Sequence, residues 1–81
     1  MSSTILYMST FGTSDATKAS IPWHLAVNGS LEVGQDAVIV LAGDAAELLV
    51  AARRETVEGV GLPPLRDLVA KARERSVPVH V

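Results

Sequence analysis

The chain has 81 residues, 48% of them hydrophobic, with a formal net charge of −2, a pI near 5.5 and a mean hydropathy of +0.31. That length caps the fold at one domain, and the acidic balance argues against nucleic acid as a partner, because proteins that grip phosphate backbones concentrate positive charge. With no cysteine, and with His24 and His80 as the only histidines, disulfides, thiolate metal sites and a cysteine nucleophile are excluded within these residues; no metal, no cofactor and no catalytic residue is expected.

In chain order, Thr4-Ile5-Leu6-Tyr7-Met8 is a short β-rich run between Ser2-Ser3 and Ser9-Thr10, and reads as the first buried strand. Thr10-Phe11-Gly12-Thr13-Ser14-Asp15 follows, dense in hydroxyls with one glycine. It is a loop able to turn backbone N–H groups toward an anion, and Ser14 or Asp15 is placed to cap the next helix. The spacing of a nucleotide-binding P-loop is absent from the sequence. From Ala16 to Leu31 the apolar residues Ala19, Trp23, Ala26 and Val27 recur three and four apart, which predicts a helix with one covered face. Pro22 falls inside it and removes a donor, so a late start or a bend is expected there. His24 reads as a partly exposed helical histidine packed at a subunit contact.

The chain is organised around Ala37-Val38-Ile39-Val40-Leu41-Ala42, an unbroken apolar run without in-out alternation, which predicts a strand covered on both faces. It leads through Gly43-Asp44 into Ala45-Ala46-Glu47-Leu48-Leu49, an expected helix with Asp44 as cap and Glu47 reaching back in a capping box. Leu48, Leu49 and Ala52 extend its apolar face, and Arg53-Arg54 suit the negative end of its dipole. Glu55 to Gly61 is a turn segment, and Leu62-Pro63-Pro64 opens a further helix. Leu65, Leu68, Val69 and Ala72 form its buried stripe, with Asp67 and Lys71 as an i,i+4 ion pair. Val77-Pro78-Val79-His80-Val81 is the last strand. Strands alternating with helices give an α/β domain with a parallel sheet. Sites in open sheets of this kind lie beyond the carboxyl ends of the strands, so Thr10, Phe11, Gly12, Thr13, Ser14, Gly43 and Asp44 are the candidate binding residues, framing a place for an anion between two helix N-termini.

Three pieces carry a resemblance: Ile21-Pro22-Trp23-His24-Leu25-Ala26, the stretch Val38 to Leu49 with its Leu41-Ala42-Gly43-Asp44 turn, and Gly59-Val60-Gly61-Leu62-Pro63-Pro64-Leu65. Together with Val77 to Val81, they make the chain resemble the DsrE/DsrF-like family, which includes sulfur-relay subunits of the TusD type. The resemblance implies a three-layer α/β/α domain with flavodoxin- or Rossmann-like layering, homo- or hetero-oligomeric, with a homo-oligomer such as a trimer or hexamer expected here, that exchanges sulfur with donor or acceptor proteins. It also implies a persulfide-bearing cysteine just after the strand matching Val77 to Val81, a position one residue beyond this sequence. The expectation is therefore residues 1–81 of a single domain incomplete at its C-terminus: a component of a sulfurtransferase if a cysteine follows, and not an independent enzyme as it stands. The alternative is a cysteine-free scaffold subunit that binds a small anion or a partner's loop.

An apolar content made of Ala, Val and Leu exceeds what so small a core absorbs, which itself predicts an oligomer, with Trp23 and Leu25 as candidate subunit contacts. No run approaches the roughly 18 apolar residues of a membrane span, and the N-terminus lacks the charged and apolar regions of a secretion signal. No membrane association and a cytoplasmic location are the corresponding expectations.

Overall fold

In the computed structural model, which describes residues 4–81, the central apolar run is a strand, β2 (Asp36–Leu41), flanked on either side by parallel neighbours. Strand β1 (Thr4–Ser9) pairs with it from Thr4↔Asp36 to Ser9↔Leu41. Strand β3 is only Val79–His80, set against Ile39 and Val40, with the Pro78 carbonyl also accepting the Ile39 N–H at 2.9 Å. The proline withholds one donor and helps keep this edge strand short. Ser2-Ser3, read as the boundary before the first strand, lie outside the described residues.

The first crossover begins with Asp15 as cap: its Oδ1 accepts the Lys18 N–H at 3.0 Å and its extended backbone enters helix α1 (Ala16–Leu25). The helix runs on through Pro22 rather than starting after it. Beyond Leu25 the winding widens into a π turn over Ala26–Ser30, where Asn28-Gly29 weakens the α preference, then tightens to a 3-10 turn over Leu31–Val33. Gly34, at φ +80°, closes it in the left-handed conformation.

After β2 the structure departs from the expected α-helix. Gly43 sits at φ +58°, and Gly43–Leu49 winds as a 3-10 segment, broken at the extended Val50 before a single α turn, α2 (Ala51–Arg54). Asp44 makes no capping bond; Ala42 occupies the cap position. Glu47 does not reach back along its own segment, because a backbone donor from another loop holds it. Of the expected apolar face, Leu48 is buried while Leu49 and Ala52 are exposed.

Leu65 begins helix α3 (Leu65–Glu74) directly after Pro64, and its stripe Leu65, Leu68, Val69 and Ala72 is buried as the spacing predicts. Lys71 does not pair with Asp67. Its Nζ donates to Glu32 at 2.8 Å and to the Asn28 side chain, whose amide lies 3.2 Å from His24 Nδ1, so it ties α3 to the end of the first crossover. The Glu32 carboxyl is held below its ordinary range by that hydrogen bond first and the Lys71 charge second.

One cluster contains the core, and it occupies one side of the sheet. Ala37, Ile39 and Leu41 are 4%, 0% and 1% exposed and pack with Trp23, Val27, Leu48, Leu65 and Leu68. Alternation puts Leu6, Met8, Val38 and Val40 on the opposite side; there Leu6 is 60% and Met8 57% exposed, and the valines are half-buried. The described residues thus form an α/β fold with one helical layer on a parallel sheet. A continuous apolar strand predicts cover on both faces, but among the described residues the helices cover it once. Trp23, expected at a subunit contact, is 2% exposed and belongs to the core; Leu25 is 46% exposed.

Candidate functional site

The loop after β1 and the turn after β2 do come together at the carboxyl ends of the strands. Ala42 N–H donates to Ser9 O at 2.9 Å, extending the ladder one step past the strands. Beyond it the two connections touch so closely that a Cβ added to Gly12 would lie 2.5 Å from Asp44 O and 2.6 Å from Glu47 Oε1. Only glycine permits that approach.

The donor that was to greet an anion is already bound. Thr13 N–H donates to Glu47 Oε1 at 2.6 Å. Hydrogen bonding from Thr13 keeps the Glu47 carboxyl below the usual carboxylate range, with the Arg53 charge a lesser contribution in the same direction. The protein thus places its own carboxylate where the loop offers an N–H. Glu47 is the site residue that sequence reading misassigned; a Glu three residues after an Asp signals a local capping box, and nothing in the sequence marks a partner 34 positions away.

The other candidate residues separate around this contact. Ser14, Gly43 and Asp44 are exposed, and a Cβ at Gly43 meets nothing within 4 Å, so that glycine serves its left-handed φ rather than a close approach. Thr10 and Phe11 line a shallow cleft of about 230 Å³ with Met8, Lys18, Ile21 and Pro22, and Gly43 is not among its lining residues. Lys18 Nζ stands 4.9 Å from the Phe11 ring centroid, a cation–π contact that leaves one positive charge in an otherwise apolar cleft. The cleft joins the edge of β1 to α1, and Met8 belongs both to it and to the uncovered sheet side.

On that uncovered side, register sets Thr4 beside Asp36, Leu6 beside Val38, and Met8 beside Val40 beside His80. Parallel partners share a face, so an acid, Asp36, lies beyond one end of the apolar rows and an imidazole, His80, extends the last of them. Among the described residues, no group of three or more His, Asp or Glu is arranged to hold a metal ion, and no helix is long and apolar enough to cross a membrane. Compared with protein-family models, with curated proteins and with solved structures, the chain matches none of them.

Proposed function

We propose that this chain is an interaction subunit, which works by docking its uncovered sheet face on a second copy of itself rather than by covalent chemistry of its own residues. The observation that carries this reading is the Leu6, Met8, Val38 and Val40 face, apolar across both central rows and exposed to 60% at Leu6. Such a face on a small domain marks an association surface. A second copy fits it through charge as well as hydrophobicity. Stacking two faces about a two-fold axis with strands antiparallel, centred on the Leu6–Val38 row, lays that row on its own copy and the Thr4–Asp36 row on the partner's Met8–Val40–His80 row, so Asp36 of each copy comes toward the other's His80. The apolar area continues around β1 into the cleft at Phe11 and Ile21, toward the roughly 800 Å² per partner of a stable interface. In this assembly the central strand is covered on both sides, once by helices and once by sheet.

The sulfur-relay role rests on the DsrE-like resemblance and on the meeting of the two loops at the strand ends. It requires a thiol that none of these 81 residues supplies, and the Thr13 N–H at that junction is held by Glu47. The docking reading asks for nothing beyond residues in view.

Sedimentation equilibrium tests it: the parent chain is expected as a dimer at micromolar concentration and Met8→Asp as a folded monomer, with matching circular dichroism. Val60→Asp, at an 87% exposed turn residue, is expected to leave the dimer intact. A parent monomer at about 100 µM, where even a weak micromolar complex is formed, or a Met8→Asp dimer, overturns the reading. A trimer, whose three-fold symmetry contains no two-fold, overturns the two-fold stacking.

A further inference from the structure

On the opposite side of the sheet, under the helical layer, lies a cavity of about 210 Å³ between the end of α3, the 3-10 segment and β3. Trp23, Leu48, Val69, Ala72, Val77 and Val79 make its walls apolar. Two arginines, Arg54 and Arg73, also line it, and no acidic residue does. Exposed Leu49 and Arg73 mark its mouth, since the remaining lining is buried or half-buried.

We propose that this cavity binds a small monocarboxylate with a compact apolar tail of about six carbons. Size sets the tail: a dry cavity of about 150 Å³ accepts benzene, so the present one holds a six-carbon group with its carboxylate at the mouth. Charge sets the head. Arg54 is fixed in place, its Nη1 donating to Leu49 O at 2.9 Å and Leu48 O at 3.3 Å, which leaves its other guanidinium donors for a ligand. Arg73 has no acidic partner within ion-pair distance among the described residues and is exposed beside the opening. Two arginines lining an apolar hole favour a carboxylate over a neutral head of the same length, because charge-assisted hydrogen bonds are the stronger ones.

The site is independent of the docking face, because Val79 lies on the covered side of the sheet and Met8 on the other. The two ideas therefore fail separately.

Trp23 is the only tryptophan, so its emission reports the cavity directly. Titration of the full chain with hexanoate is expected to change that emission saturably below about 10 mM, in the weak millimolar range suited to so small a ligand. Hexan-1-ol and Arg73→Gln are each expected to bind about tenfold more weakly, the loss that follows from one charge-assisted hydrogen bond. Arg73→Gln changes an exposed side chain, and its circular dichroism should match the parent. Amide and indole shifts on adding hexanoate should cluster at Trp23, Ala72, Val77 and Val79. Absence of a saturable change, equal binding of the alcohol, unchanged affinity in Arg73→Gln, or shifts confined to the β1 cleft would each overturn the assignment.

Discussion

The two sides of the sheet both carry aliphatic rows and meet opposite fates. Along β2, Ala37, Ile39 and Leu41 disappear beneath helices, while Val38 and Val40, one position out of phase, remain half-exposed. Hydrophobicity of the strand does not choose between them. The choice is made by the connections: α1, the 3-10 segment and α3 all bring their apolar residues to the same side, joined there by the Asn28–Lys71–Glu32 contacts and by Val57 beneath the turn. A strand pattern states how much apolar surface needs cover, and the helices state which part of it this chain covers by itself.

The largest expected effect contrasts neighbours on β2. In the Met8→Asp background, chosen so that only the single chain is measured, Ile39→Ala should cost about 3 kcal/mol in urea unfolding and Val40→Ala under about 1 kcal/mol, because only the first leaves an enclosed cavity. Equal losses would mean that the two sides are equally covered. Next comes β1, where Tyr7 on the covered side shares a 2.6 Å hydrogen bond with Ser30 Oγ. Tyr7→Phe strands a hydroxyl on a residue 3% exposed, and should destabilise by about 1 kcal/mol.

Ser9, also on the covered side, has a buried Oγ without a partner among the described residues. Ser9→Ala removes that unpaired hydroxyl, and should leave stability unchanged or raise it by up to about 1 kcal/mol by differential scanning calorimetry. The smallest effect is acid titration of Glu47. Its folded pKa is lowered, so its contribution is fully present above the unfolded value of about 4.3 and fades as pH falls through the lower folded value. Comparison of parent and Glu47→Gln unfolding midpoints should show a gap near pH 7 that narrows below about pH 4; a constant gap would remove the Thr13 contact as its cause.

Much of the architecture is legible in the sequence. The three strands and their parallel sense follow from the alternation of strand and helix, and a cap at Ser14 or Asp15, which the structure resolves to Asp15, and the Leu65, Leu68, Val69, Ala72 stripe follow from cap chemistry and spacing; the order of the strands in the sheet does not. What escapes is decided over distance. Trp23 looks like a contact residue until the packing of α1 on α3 encloses it. The Ala/Leu run after Gly43 looks like an ordinary α-helix until a left-handed glycine and a carboxylate drawn toward Thr13 wind it as a 3-10 segment. The candidate site shows the same division: the meeting of the two loops follows from the rule about strand ends, whereas Glu47 filling the space between them does not.

The bond from Thr13 to Glu47 also makes a slow clock out of an amide that sits on a surface loop. Exposed loop amides ordinarily exchange their hydrogen with solvent almost at the rate of free chain, but this one must wait for the loop and the 3-10 segment to part. Its deuterium uptake at neutral pH therefore counts openings of the strand-end junction one residue at a time. A partner that pries the junction apart to reach the carboxyl ends of the sheet would be seen first at Thr13, before any change in the core.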